Sequence, residues 1–314
     1  MQSVPFSDQH LPPRLEHVLA DGRPLAFYES LRHGDDGNRL PTVFLIHGWG
    51  ATAGLNWVTT FGALARDFHV IAPDMAGHGQ SKASRSGFRL EQCADDVLRL
   101  ADARGVERFI IAGYSMGGPI SLLTAREAPD RVRGIVLCAT AARFKHRIHE
   151  HAAFNYLKMF KEVAGSIPKG VYRFVARRIS PLFVGTENLD QTWVRQELDG
   201  HSMRALVQAG AELGDFDATP WLHELNLPAC VIVTTKDELV PPERQRELLA
   251  DLVAANVGHV TSHKVDARHT TLIDDPERFV PTLIAACAQV HDAALQRIRN
   301  LASMQDEGYV GLGA

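Results

Sequence analysis

Cysteine is scarce in this chain. The four are Cys93, Cys138, Cys230 and Cys287; none forms a C-x-x-C pair, and their wide spacing offers no metal framework. Cys138 and Cys230 lie in apolar, strand-like runs and read as buried free thiols, which suits a reducing cytoplasm. Long hydrophobic runs are missing as well: none approaches the ~20 residues of a membrane span. Positive charge is not in excess. A formal net charge of -4 without a basic stripe argues against general nucleic-acid binding. Residues 1–13 are polar and lack the basic and apolar regions of a signal peptide, so a cytoplasmic location is expected. No repeat or low-complexity segment interrupts the 314 residues, a length that buries a large core without staples.

What is present is an alternation of strands and helices. Leu15–Ala20 and Leu25–Glu29, either side of Asp21-Gly22-Arg23-Pro24, read as a β-hairpin. Thr42–Ile46 is a continuous apolar run of the buried, parallel kind. Helix 55–67, strand 69–72, helix 90–104, strand 109–112, helix 115–127 and strand 134–138 follow. From Arg143 to Thr219 strand-like runs stop and helical patterns dominate. The alternation resumes with strand 229–234, helix 243–253, a strand over 259–265 and a helix from Pro276 capped by Asp275. Pro281 either kinks that helix or marks its true start. A loose tail is expected from Gly308. Such an order predicts a twisted, mostly parallel sheet with helices on both faces. The domain division is 1–142 core, 143–219 helical insertion and 220–314 second part of the core. The insertion then lies at the C-terminal edge of the sheet, where open α/β sheets place their sites.

Five short stretches at strand ends stand out. Gly113-Tyr114-Ser115-Met116-Gly117 joins an apolar strand to a helix, and its glycines let a sharp turn lift the serine above the sheet edge. An ordinary serine in a glycine-rich turn fits the pentapeptide alone. His47-Gly48-Trp49-Gly50 ends the first long parallel strand. His47 there reads as a turn residue that hydrogen-bonds loop carbonyls, not as a base. Asp74-Met75-Ala76-Gly77-His78-Gly79-Gln80-Ser81 reads as a structural turn. Asp237 follows the seventh strand, with adjacent Glu238 as a rival. His269 follows the eighth; it is one of 15 histidines, singled out by its loop and its place in the order.

Taken together, these stretches make the chain resemble the serine-nucleophile α/β-hydrolase superfamily, an esterase- or lipase-like member with a helical cap, over about 15–290. Gly113 to Gly117 matches the nucleophile elbow and Asp74 to Ser81 the D-x-x-G-x-G-x-S turn. The resemblance implies Ser115 as nucleophile, His269 as base and Asp237 as orienting acid, with backbone N–H groups of Trp49 and Met116 as the oxyanion hole. Arg268 departs from the glycine common before this histidine. No metal or organic cofactor is implied. Arg143 to Thr219 looks like the superfamily's cap; candidate substrate contacts are Trp49, Tyr114, Phe144, Phe154, Trp193 and Val240. Nine Lys or Arg against two Glu between Arg143 and Arg178 read as a solvated basic face, or as a patch for an anionic partner. Leu295, Ile298 and Leu301 recur at helical spacing and can pack on the body or on a second subunit in a homodimer.

The expected activity is hydrolysis of a small-molecule carboxylic ester with an apolar part. The same site allows C–C, lactone or amide cleavage, or cofactor-free perhydrolysis. A small-molecule receptor that keeps the fold is the reading from a different class.

Overall fold

The computed structural model describes residues 5–144, 188–255 and 257–310. Its centre is one eight-stranded sheet. The strands are β1 (Leu15–Val18), β2 (Pro24–Glu29), β3 (Thr42–Ile46), β4 (His69–Pro73), β5 (Phe109–Tyr114), β6 (Val132–Cys138), β7 (Ala229–Thr234) and β8 (Val260–Val265). Their spatial order is β1-β2-β4-β3-β5-β6-β7-β8. The β1–β2 and β2–β4 pairs are antiparallel, and every later pair is parallel. This is the mostly parallel sheet that the strand pattern predicted, in the α/β-hydrolase arrangement that the resemblance implied.

Alternation along the strands sends side chains to two cores. Phe44, Ile46, Phe109 and Ile111 face one, together with helices α3 (Leu90–Ala103) and α4 (Gly117–Glu127). Val43, Leu45, Ile110, Ala112 and Tyr114 face the other, with α1 (Ala53–Trp57) and α2 (Phe61–Leu64). The helix expected over 55–67 is therefore two short pieces. Val58, Thr59 and Thr60 are β-branched and disfavour a continuous helix, and Thr59 Oγ1 donates instead to Leu272 O, 2.6 Å away.

Of the segment 143–219, residues 145–187 lie outside the described residues. They include Phe154, the other aromatics from Tyr156 to Phe183, and nearly all of the basic stretch. The described remainder forms α5 (Gln191–Asp199) and α6 (Met203–Asp215). Trp193, Val194 and Leu198 of α5 join the second core, whereas Ala205, Ala209 and Leu213 of α6 join the first. After β7 come α7 (Pro242–Ala254), α8 (Thr271–Asp274) and α9 (Pro276–Val310). The α9 helix runs through Pro281 and past Gly308 to Val310, so the later start is not found and the expected tail does not begin at Gly308; residues 311–314 lie outside the described residues. Pro281 is only the sixth residue of the helix and forfeits a single backbone bond. Leu295, Ile298 and Leu301 are 38%, 39% and 53% exposed along it. Among the described residues no helix is long and apolar enough to cross a membrane, and all four cysteines are buried and unpaired.

The α5–α6 connection is clasped by the loops that follow β3 and β4. Ser202 N donates to Gly77 O at 2.8 Å, and Gly79 N donates to His201 Nδ1 at 2.8 Å. The His201 proton therefore sits on Nε2, which donates to Gly50 O at 3.1 Å. Trp49 Nε1 donates to Leu206 O at 2.8 Å. A second tie is polar: Glu197 of α5, 3% exposed, accepts from Arg14 and from Thr52 Oγ1, each at 2.6 Å. Burial raises the Glu197 carboxyl above its ordinary range, and the nearby Asp74 adds to the rise.

His201 sits in a buried cluster of tilted rings, with the His78 ring 5.4 Å from it and 5.2 Å from His47. Burial pushes His201 from 6.5 down to about 4. The unfolded chain then binds more protons than the folded one between those values. His201 thus contributes stability that is whole above about pH 6.5 and lost as pH falls toward 4. A glutamine can keep both hydrogen bonds without titrating. The unfolding free energy of the wild type is expected to drop by about 2 kcal/mol more than that of His201→Gln between pH 7 and pH 5, measured by urea denaturation. Parallel pH curves for the two proteins would contradict this.

Candidate active site

Ser115 stands between β5 and α4 with φ 52, a left-handed backbone uncommon for any residue but glycine. The turn is crowded. A Cβ on Gly113 would lie 2.1 Å from Gly117 O, and one on Gly117 would lie 2.1 Å from Ile46 O. Only hydrogens fit at both positions, so β3 approaches the start of α4 at backbone distance. Ser115 N donates to Cys138 O at 2.9 Å, tying the turn to β6. Ser115 remains partly accessible although its neighbours are buried.

The loop after β3 lies against this turn. A Cβ on Gly48 would be 3.3 Å from Ser115 Cβ. Gly48 N donates to Asn56 Oδ1 at 2.7 Å. His47 is fully buried; Met75 N donates to its Nε2 at 2.8 Å, leaving Nδ1–H to donate to Gly48 O at 2.8 Å. Burial pushes His47 to about 4, so it is neutral near neutral pH. The Gly48 carbonyl belongs to the peptide that carries the Trp49 N–H. In a trans peptide these two groups point opposite ways, so His47 fixes the direction of that N–H. His47 is thus a loop-holding residue, as the sequence suggested. Asp74 also keeps to its turn: its carboxylate accepts from Ala53 N and Gln80 N at 2.8 and 3.0 Å.

Asp237 and His269 meet at the ends of β7 and β8. His269 Nδ1 is 2.7 Å from Asp237 Oδ2. Glu238, the rival acid, is exposed. The Asp237 carboxylate is buried, and among the described residues no lysine or arginine pairs with it. Neutral donors hold it: Leu239 N and Val240 N on Oδ1 at 2.9 and 2.8 Å, Thr234 Oγ1 and Gln245 Nε2 on Oδ2 at 2.8 and 3.2 Å. The Gln245 amide orientation is set because its Oε1 accepts from Thr234 N at 2.9 Å, while Nε2 also donates to Val240 O at 2.7 Å. Arg268 is exposed, so the departure from glycine before His269 projects into solvent.

Tyr114 joins the His269 loop to the turn. Its hydroxyl donates to His269 O at 2.5 Å, and its ring lies 5.5 Å from the imidazole. Burial, then the Asp237 charge, raises the phenol well above its ordinary value, so it stays a neutral donor. At 1% exposure it supports the site from below and does not line it. Trp193, 5% exposed, packs on Gly54 within the second core. Val240 is buried beside the acid. Phe144 and Trp49 are partly buried against the first core. Thr234, Gln245, Thr140 and His201 carry polar contacts here that sequence reading did not single out. Gln245 had one signal, a polar residue on the buried face of an amphipathic helix. Among the described residues no group of three or more His, Cys, Asp or Glu is placed to hold a metal ion.

The chain has relatives. The dihydrolipoyllysine-residue acetyltransferase component of the acetoin cleaving system of Pseudomonas putida is 30% identical over 249 residues, which are 77% of this chain and 62% of that protein. The chain thus spans less than two thirds of that relative's length. Among solved structures, the enol-lactonase from Burkholderia xenovorans LB400 is similar with a TM-score of 0.70 at 22% identity, over 86% of this chain and 98% of that one. A thermophilic esterase from Thermogutta terrifontis is similar with a TM-score of 0.66 at 23% identity, over 89% and 100%. At such identities these structures share the fold. A family model described as "alpha/beta hydrolase fold" matches residues 41–276, and the chain belongs to that family.

Proposed function

We propose that the protein is a serine hydrolase that cleaves a carboxylic ester with an apolar part. The observation that carries this reading is the 2.7 Å contact between His269 Nδ1 and Asp237 Oδ2, in a loop tied through Tyr114 to the turn that bears Ser115. With Asp237 accepting from Nδ1–H, the free ring nitrogen of His269 is Nε2, a base.

The reaction runs in two halves. Ser115 Oγ attacks the ester carbonyl carbon as His269 Nε2 takes its proton. Negative charge moves to the carbonyl oxygen, where the Trp49 and Met116 N–H groups receive it. Met116 is at the entry to α4, where backbone N–H groups have no intrahelical acceptor and the helix dipole favours an anion. The C–O bond breaks, and His269 gives its proton to the leaving alcohol. Water then attacks the acyl-enzyme by the same path and releases the acid. Asp237 keeps the imidazole in the needed tautomer and stabilises the imidazolium. The same steps open a lactone, whose alcohol leaves but stays tethered; the similar enol-lactonase and esterase folds are in keeping with ester-type bonds.

Replacing the nucleophile tests the reading. Ser115→Ala is expected to lower kcat on p-nitrophenyl esters by a factor on the order of 10^6, with the far-UV spectrum of the wild type retained. Near wild-type turnover by the purified variant, free of host esterase, would refute it.

A further inference from the structure

We propose that Thr140 is a positioning residue for the second oxyanion donor: its hydroxyl holds the Ser115–Met116 peptide so that the Met116 N–H faces the space above Ser115. The proposal rests on the serine-hydrolase reading and assigns a task to a residue outside the triad. Thr140 Oγ1 donates to Ser115 O at 2.7 Å, and that carbonyl also accepts from Gly118 N at 2.9 Å. The peptide is trans, so the Met116 N–H lies in the same plane and points away from the two donors. Pinning the carbonyl therefore aims the N–H. Donation to the carbonyl also polarises the peptide and strengthens its N–H as a donor. His47 stands in the same relation to the Gly48–Trp49 peptide.

The surroundings are shaped for this contact. Thr140 is 1% exposed. A Cβ on Gly118 would sit 2.2 Å from Thr140 Oγ1, so the first turn of α4 leaves room for the hydroxyl. Ala139, just before it, has φ 48, a strained conformation for a residue with a β-carbon. Ala139 N donates to Ile232 O at 3.2 Å, and Ser115 N donates to Cys138 O. The strand end is thus anchored on both sides while the left-handed residue turns Thr140 toward the elbow. The hydroxyl reaches across 25 residues of sequence to the carbonyl of the proposed nucleophile, Ser115.

The test compares Thr140→Val, which keeps the shape, Thr140→Ala, which cannot clash, and Thr140→Ser, which restores the hydroxyl. Two quantities are read: kcat and KM on p-nitrophenyl butyrate, and the Ki of an alkyl trifluoromethyl ketone. In that inhibitor complex Ser115 Oγ bonds to the ketone carbon, its proton passes to His269, and the carbonyl oxygen becomes the oxyanion. Val and Ala are expected to lower kcat about 10-fold and to raise the Ki by a similar factor with KM little changed. This is less than the ~100-fold or more that loss of a donor itself costs. Ser is expected to recover most of both. Wild-type kcat and Ki in both Val and Ala overturn the proposal. So does a loss that Ser shares, tracking a lowered melting temperature, because that marks a packing role. If the wild type itself forms no ketone adduct at Ser115, the serine-hydrolase reading fails and the proposal falls with it.

Discussion

Where β5 runs into α4, three stretches of backbone come within contact distance of one another. Glycine at 113 and 117 leaves room for the Gly117 carbonyl and for Ile46 O respectively, and Ser115 takes the left-handed conformation between them. Everything else at this edge of the sheet is referenced to that crossing. The β3 loop can lie on the elbow because no side chain separates Gly48 from Ser115. The β6 end is tied in through Ser115 N and Thr140, and the β8 loop through Tyr114. Strain of this kind persists only where the surroundings over-determine it, and here four strands do so.

Around this crossing the polar groups share one electrostatic design. N–H and O–H dipoles, in place of a lysine or arginine among the described residues, hold the Asp237 carboxylate. In the proposed mechanism a nearby lysine or arginine would compete with the imidazolium that forms during proton transfer; dipoles leave that partnership to His269. The supporting groups are kept neutral by burial. His47 is pushed down to about 4, and Tyr114 is raised well above its usual range. Each acts as a hydrogen-bond donor of fixed sense, so the loops they hold do not change state across the neutral pH range.

Much of this was legible in the chain. Residues whose function depends on local backbone left local marks: glycines around Ser115, the His-Gly turn at 47–48, and Asp237 and His269 each just past a strand. The turn role of His47 was legible for the same reason, since its partners Gly48 and Met75 lie in loops that the motifs already bounded. What escaped notice depends on distant pairing. Thr140 meets Ser115 because β5 and β6 are neighbours, and Gln245 meets Thr234 because α7 folds back on β7; Thr140 carries no local mark, and the buried-face position of Gln245 marks the residue but not its partner. The break at Val58–Thr60 is hidden by an apolar period that runs across three β-branched residues, two of which, Thr59 and Thr60, carry hydroxyls whose bonds compete with the helix. Tyr114, a candidate substrate contact by sequence, is the last residue of β5 and faces the second core, with its ring 5.5 Å from the imidazole.

The central claim is that Ser115 is the one activated nucleophile of this chain. Treatment of the wild-type protein with diethyl p-nitrophenyl phosphate, followed by intact-mass measurement and peptide mapping, addresses it directly. An activated serine displaces p-nitrophenolate and keeps the diethylphosphoryl group. The account predicts a single adduct per chain, on Ser115, formed in step with p-nitrophenolate release. No adduct, or an adduct on another residue with Ser115 unmodified, would contradict it.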